Sequence, residues 1–153
     1  MESTDTTPWY NKYVGLPYRH LGNDPKTGID CVNLCRYIYK QELGLDVKLG
    51  SYDFCNIVDE DWYNKTHIDS FGIAMSLESP EMNWTWELVD HPQPFDIIIL
   101  SIGSTNVTNH CAIYVDHNKM LQTMIKRDSW VTFYGSHYKD CTQGIYRWKN
   151  LQS

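Results

Sequence analysis

Between Val32 and Leu43 the apolar residues Leu34, Cys35, Ile38, Tyr39 and Leu43 recur at three- and four-residue spacing, the interval of one face of an α-helix. Gly44 follows where a helix ends, and Asp30 stands where its N-cap belongs. Further on the pattern changes. After Trp84-Thr85-Trp86 and the Pro-punctuated turn His91-Pro92-Gln93-Pro94, the run Phe95-Asp96-Ile97-Ile98-Ile99-Leu100 predicts a buried strand. A loop of Gly, Ser, Thr and Asn leads to His110-Cys111-Ala112-Ile113-Tyr114-Val115, a second strand. Asp116-His117-Asn118 predicts a tight turn, with Lys119 to Met124 as the hairpin's return. The expected fold is α+β, an N-terminal helix packed on an antiparallel sheet built mainly from residues 94–148.

This layout gives two residues a chemical meaning. Cys31 lies where a loop containing Gly and Pro gives way to the helix, and the exposed N–H groups and partial positive charge of a helix N-terminus lower a thiol pKa from its free value of about 8.5. Thiolate is the nucleophilic form, so Cys31 is the candidate nucleophile. Two strands joined by a short turn lie side by side, which lets His110 sit next to Gln122. An amide oxygen there fixes the imidazole tautomer and aims the other ring nitrogen at the thiol.

The other cysteines read differently. Cys35, one turn after Cys31 on the same helical face, belongs to the core, and Cys55, Cys111 and Cys141 complete an odd count that favours reduced thiols. Five Cys and six His raise the question of a metal, but there is no C-x-x-C or H-x-x-x-H pair, and the adjacent residues His110 and Cys111 are expected to point to opposite sides of a strand. No metal and no organic cofactor is expected. His20, His67, His91, His117 and His137 read as surface or loop residues.

A chain of 153 residues, 42% hydrophobic and 14% aromatic, fits one domain with an ordinary core. Net charge is −6 without a Lys/Arg cluster, which argues against nucleic acid or an anionic membrane as partner. Without an apolar N-terminal segment or a run of about 18 apolar residues, neither export by a signal peptide nor membrane spanning is expected, and synthesis in a cytoplasm is. The N-x-T sites at Asn64, Asn83 and Asn106 then carry no glycan. Residues 50–90 are rich in aromatic and acidic side chains, among them Tyr52, Phe54, Asp59, Glu60, Asp61, Trp62, Tyr63, Trp84 and Trp86. They read as an insertion that shapes a cleft or docks a partner, or as ordinary cover for the helix.

Three blocks carry a family resemblance: Gly15-Leu16-Pro17-Tyr18 to Gly28-Ile29-Asp30-Cys31, then Gln93-Pro94-Phe95-Asp96-Ile97-Ile98, then His110-Cys111-Ala112-Ile113-Tyr114 through Met120-Leu121-Gln122. In order and spacing they resemble the G-x-P-Y … D-C-S-G-L, P-G-D and H-x-G-I-Y … H/N/Q signatures of the NlpC/P60 cysteine peptidases, permuted papain-like enzymes that act on bacterial cell-wall peptides. Val32-Asn33 stand at that family's Ser-Gly, and Phe95 at the Gly of P-G-D. The resemblance implies Cys31, His110 and Gln122 as the catalytic set, with Tyr18 and Asp30 on the substrate side and the Tyr18 hydroxyl directed toward the substrate carbonyl. It implies a peptidoglycan stem peptide as substrate, commonly cut between D-glutamate and the diamino acid. The run from Cys31 to Leu45 is similar to the branch in bacteriophage tail-tip proteins, which implies a tail-tip or hub protein as partner and a virion tail acting in the host envelope. Two other readings use the same residues: a structural tail or baseplate component with catalysis lost or incidental, and acyl transfer or deamidation by the Cys-His pair.

Overall fold

The computed structural model describes residues 7–20, 22–47, 86–102 and 110–149. Most of the aromatic and acidic segment 50–90, with Trp62 and Trp84, lies outside the described residues, as do Cys55, His67 and the three N-x-T sites.

Helix α1 spans Cys31–Ile38. The Asp30 carboxylate caps it by accepting the Asn33 backbone N–H at 2.8 Å, satisfying one of the donors a helix start leaves unpaired. The chain then widens into a π-helical turn over Tyr39–Leu43, and Gly44 closes it with φ of 67°. The helical extent agrees with the apolar spacing, although its last turn is wider than an α-helix. Val32, Leu34, Cys35, Ile38 and Tyr39 are buried along it.

Two short strands, β1 (Asn23–Asp24) and β2 (Gly28–Ile29), form a small hairpin ahead of the helix. The main sheet holds β3 (Trp86–Val89), β4 (Ile97–Leu100), β5 (His110–Asp116), β6 (Lys119–Met124), β7 (Arg127–Phe133) and β8 (Thr142–Trp148), with α2 (Ser136–Cys141) before the last strand. Its order is β3-β8-β4-β5-β6-β7, and every neighbouring pair is antiparallel. The expected helix-on-sheet α+β architecture is the one observed.

Two strands differ in detail from the sequence reading. Trp86–Val89, which composition groups with the aromatic and acidic segment 50–90, is an edge strand paired with β8. Only Trp86 of its four residues is buried, so there is no alternation to betray a strand. The Trp86 ring packs edge-on against Tyr39 and Trp148, with centroids 5.8 and 5.2 Å away. Strand β4 begins at Ile97 rather than Phe95, because Phe95 has φ of 77°. That left-handed backbone costs a residue with a side chain roughly 1–2 kcal/mol, and it occurs where the family resemblance has glycine. The Phe95 ring offsets it by stacking on Trp9 at 4.7 Å and by an edge contact with Tyr39. Asp96, fully buried, receives two hydrogen bonds from the Arg147 guanidinium at 2.9 and 2.7 Å and one from the Gln93 N–H, tying the start of β4 to β8.

The unbroken apolar run of β4 follows from its position between β8 and β5. Ile97 and Ile99 join Cys111, Ile113, Val115 and Leu121 in the core under α1, whereas Ile98 and Leu100 join Ala112, Tyr114, Met120 and Tyr134 in a second cluster. The β5–β6 turn has His117 and Asn118 at φ of 45° and 61°, both left-handed, as a two-residue hairpin matched to strand twist demands.

Candidate active site

The thiol-bearing half of the site combines one clip to a distant strand with backbone contacts close in sequence. Gly15 and Leu16 are clipped to β7, donating to the Ser129 carbonyl at 2.8 Å and the Ser129 hydroxyl at 2.9 Å. The loop that follows lies directly on the residues before Cys31: Ile29 donates to the Pro17 carbonyl at 2.8 Å and Asp30 to the Gly22 carbonyl at 3.1 Å. The approach is close enough that a Cβ on Gly28, whose φ is 143°, would fall 2.2 Å from the Arg19 Cβ. Tyr18, half-buried, rides on this loop one residue after the clip to Ile29. Asn33 is buried and donates from its side chain to the same Gly22 carbonyl at 3.0 Å, while Val32 is 1% exposed and belongs to the core. The two residues that replace Ser-Gly in the resemblance are therefore structural neighbours of the loop and core.

Cys31 is half-buried in the first turn of α1. Its thiol is held well below the ordinary thiol range, chiefly by a hydrogen bond from the Cys111 thiol. Burial opposes this, and hydrogen bonding and charge from His110 and a bond from the Cys111 backbone reinforce it. Cys111 moves the opposite way, its ionisation suppressed by its hydrogen bonds to Cys31 and Cys35 and by burial.

The imidazole-bearing half is set by strand register. Ile113 pairs with Leu121 and Tyr114 with Met120, which brings Gln122 diagonally beside His110. His110 is 4% exposed, and its Nε2 lies 2.8 Å from Gln122 Oε1. With the amide oxygen accepting, Nε2 carries the hydrogen and Nδ1 is the nitrogen left for Cys31. The Gln122 Nε2 group is buried without a hydrogen-bond partner among the described residues, so the side chain's contacts are one-sided, through its oxygen.

The structure thus places Cys31, His110 and Gln122 in one cluster, with Asp30 as helix cap. Alternation holds along β5 from Cys111 onward, yet His110 and Cys111 both act on the Cys31 thiol. His110 stands opposite Leu100 at the end of the described strand, and from there its side chain and that of Cys111 both reach the first turn of α1. In the sequence Cys111 is one more reduced thiol, and only its place next to His110 marks it. Cys35 lies in the core as expected, and His91, His117 and His137 are exposed. Among the described residues no group of three or more His, Cys, Asp or Glu is arranged to hold a metal ion, and no helix is long and apolar enough to cross a membrane.

Comparison with known proteins finds relatives of this chain. The γ-DL-glutamyl hydrolase of Bacillus subtilis (strain 168) is 24% identical over 144 residues, 92% of this chain and 28% of that protein, so the chain spans a little over a quarter of that relative's length. Among solved structures, the NlpC/p60 domain of the peptidoglycan hydrolase SagA has a TM-score of 0.53 at 21% identity, covering 89% of this chain and 90% of that one. An NlpC/P60 family protein from Bacillus cereus ATCC 10987 has a TM-score of 0.55 at 20% identity, covering 89% and 36%. Both are likenesses of fold. The NlpC/P60 family model itself aligns with residues 15–147, from the loop clipped to β7 through the helix and hairpin to the end of the sheet, and the chain belongs to the NlpC/P60 family.

Proposed function

We propose that this protein is a cysteine endopeptidase of peptidoglycan stem peptides, with Cys31 as nucleophile, His110 as acid and base, and Gln122 as the orienter of the imidazole. One observation carries the reading: a half-buried thiol with lowered pKa at a capped helix start, facing a histidine whose far nitrogen is held by an amide oxygen. The Cys31 thiolate attacks the peptide carbonyl carbon. The Cys31 backbone N–H and the Tyr18 hydroxyl stabilise the oxyanion, Asp30 keeps the helix start in place beneath it, and His110 gives its Nδ1 proton to the leaving amine as the C–N bond breaks. His110 then takes a proton from water, which attacks the thioester and releases Cys31 as thiolate. The scheme calls on no metal or organic cofactor.

The substrate class is supported by the names of relatives: one is a peptidoglycan hydrolase, another a γ-DL-glutamyl hydrolase. The bond after D-glutamate in a stem peptide combines both chemistries. The departures from the family pattern favour an enzyme over a catalytically lost structural component. Phe95 keeps the left-handed backbone of the glycine it replaces, and Val32 and Asn33 are absorbed by core and loop. The test is mass spectrometry of purified muropeptides after incubation with the protein and with Cys31→Ala. A cut made only by the parent supports the reading, transfer products point to acyl transfer, and no change across several wall chemistries overturns it.

A tail-tip setting is the second part of the proposal, supported by the run from Cys31 to Leu45. In that setting the enzyme opens the wall locally during DNA entry or takes part in tail assembly. Co-sedimentation of Cys31→Ala with tail-tip complexes supports it; recovery only in the unbound fraction overturns it.

A further inference from the structure

The geometry points to a modification site beside the nucleophile: on oxidation by a peroxide, Cys31 closes onto Cys111 as a reversible disulfide. Three free thiols meet here, with Cys111 facing both Cys31 and Cys35 across the helix-sheet interface. They differ in access. Cys35 and Cys111 are fully buried, whereas Cys31 is half-buried at the helix start and is the one an incoming oxidant reaches. A reactive thiol open to solvent with a second thiol behind it is the arrangement in which a first oxidation product is captured before it goes further.

The chemistry balances with peroxide as the named oxidant. The Cys31 thiolate attacks one peroxide oxygen, the O–O bond breaks, and Cys31 becomes a sulfenic acid while hydroxide departs. The Cys111 sulfur then attacks the Cys31 sulfur. The S–O bond breaks as the S–S bond forms, and the Cys111 proton leaves with the hydroxyl as water. Two thiol sulfurs are oxidised and one peroxide is reduced. The leading reason Cys111 resists ionisation in the resting protein is its hydrogen bond to Cys31. Conversion of Cys31 to a neutral sulfenic acid removes the thiolate from that pair, so the first step prepares the second.

Peptide mapping of the full chain is the deciding experiment: treatment with one equivalent of hydrogen peroxide, blocking of residual thiols with N-ethylmaleimide, digestion without reductant and mass spectrometry. The expected product is a peptide joining Cys31 to Cys111, two hydrogens lighter than the separate peptides and lost on adding dithiothreitol, with recovery of free Cys31. In Cys111→Ala one equivalent leaves no linked peptide, and a second equivalent of peroxide carries Cys31 from sulfenic to sulfinic acid, which dithiothreitol does not reverse. Sulfinic acid at Cys31 of the parent without a linked peptide overturns the proposal. So does a bridge joining Cys35 to either partner, or Cys31 to a second copy. The parent's map is sufficient by itself even if the variant does not fold.

Discussion

The two halves of the site are held by different physics. The thiol half, residues 15–33, is fixed chiefly by a helix cap, glycines and backbone bonds between segments less than twenty residues apart, with the Ser129 clip and the contacts of Cys31 to His110 and Cys111 reaching farther. The imidazole half is fixed by the register of one hairpin, and His110 and Gln122 are twelve residues apart on neighbouring strands. In the first half, geometry depends on what is missing, since a methyl group on Gly28 has no room. In the second it depends on what is present, one hydrogen bond between two buried side chains. The first half should therefore fail by losing structure, and the second by losing chemistry while keeping its fold.

His110→Ala is the strongest way to break the hairpin half. General acid-base catalysis contributes on the order of 10²- to 10⁴-fold, and the variant is expected to lose that much turnover while its circular dichroism keeps the parent's shape. Gln122→Ala leaves the ring but not its orientation, and roughly a tenfold to thousandfold loss is expected. Gln122→His should retain activity, because a ring nitrogen accepts the same proton. A fully active Gln122→Ala would show that the imidazole is oriented by some other group.

The coupling between the halves is visible in the pH dependence of alkylation. A free thiol with pKa near 8.5 loses labelling about tenfold per unit of pH below that value, because only the thiolate reacts. Cys31 has its pKa lowered, so its thiolate persists and its iodoacetamide labelling should stay on a plateau at pH values where a free thiol has already declined, falling only below its own depressed pKa. His110→Ala removes one of the groups that favour the thiolate and should move the fall to higher pH. If Cys31 in the parent tracks a free thiol such as N-acetylcysteine, the activated-thiolate argument is wrong.

Glycine substitutions break the loop half. Gly28→Ala combines a Cβ placed 2.2 Å from the Arg19 Cβ and a φ that side chains rarely adopt, and a loss of about 1–3 kcal/mol is expected by denaturant titration. Gly44→Ala is the matched comparison, since a Cβ there meets nothing within 4 Å and only the left-handed backbone at φ of 67° is strained. Equal losses at the two positions would mean that backbone conformation, rather than close packing of the loop on β2, dominates the thiol half.

The same division explains what the chain discloses without its fold. Helix α1, its cap and the β5–β6 hairpin depend on spacing and turn residues that lie next to one another, so they are legible, and with them the meeting of His110 and Gln122. Contacts between distant segments are not. Strand β3 shows no alternation, and its place is set by pairing with β8. The buried Asp96–Arg147 pair joins residues fifty-one apart, and nothing local in either marks the other. Cys111 escapes notice for a related reason: its neighbours Cys31 and Cys35 lie across the helix-sheet interface, which strand alternation alone does not locate. Phe95 shows a different limit, a local rule overridden because the Trp9 and Tyr39 rings hold a side chain in a glycine's conformation.

The smallest effect sharpens the comparison most. Asp30 adjoins the nucleophile, and its carboxylate accepts the Asn33 N–H at 2.8 Å. If its part in the site is to hold the helix start, Asp30→Ala should cost about 1 kcal/mol of stability, the usual value of an N-cap, and Asp30→Asn should recover most of it because an amide oxygen caps nearly as well. Turnover should follow the same pattern, reduced in Asp30→Ala and largely restored in Asp30→Asn. The measurement is denaturant melting alongside muropeptide cleavage for both variants. If Asp30→Asn is as stable as the parent yet as slow as Asp30→Ala, the negative charge itself acts on the substrate. Asp30 then belongs to the chemistry, and the thiol half is not held by structure alone.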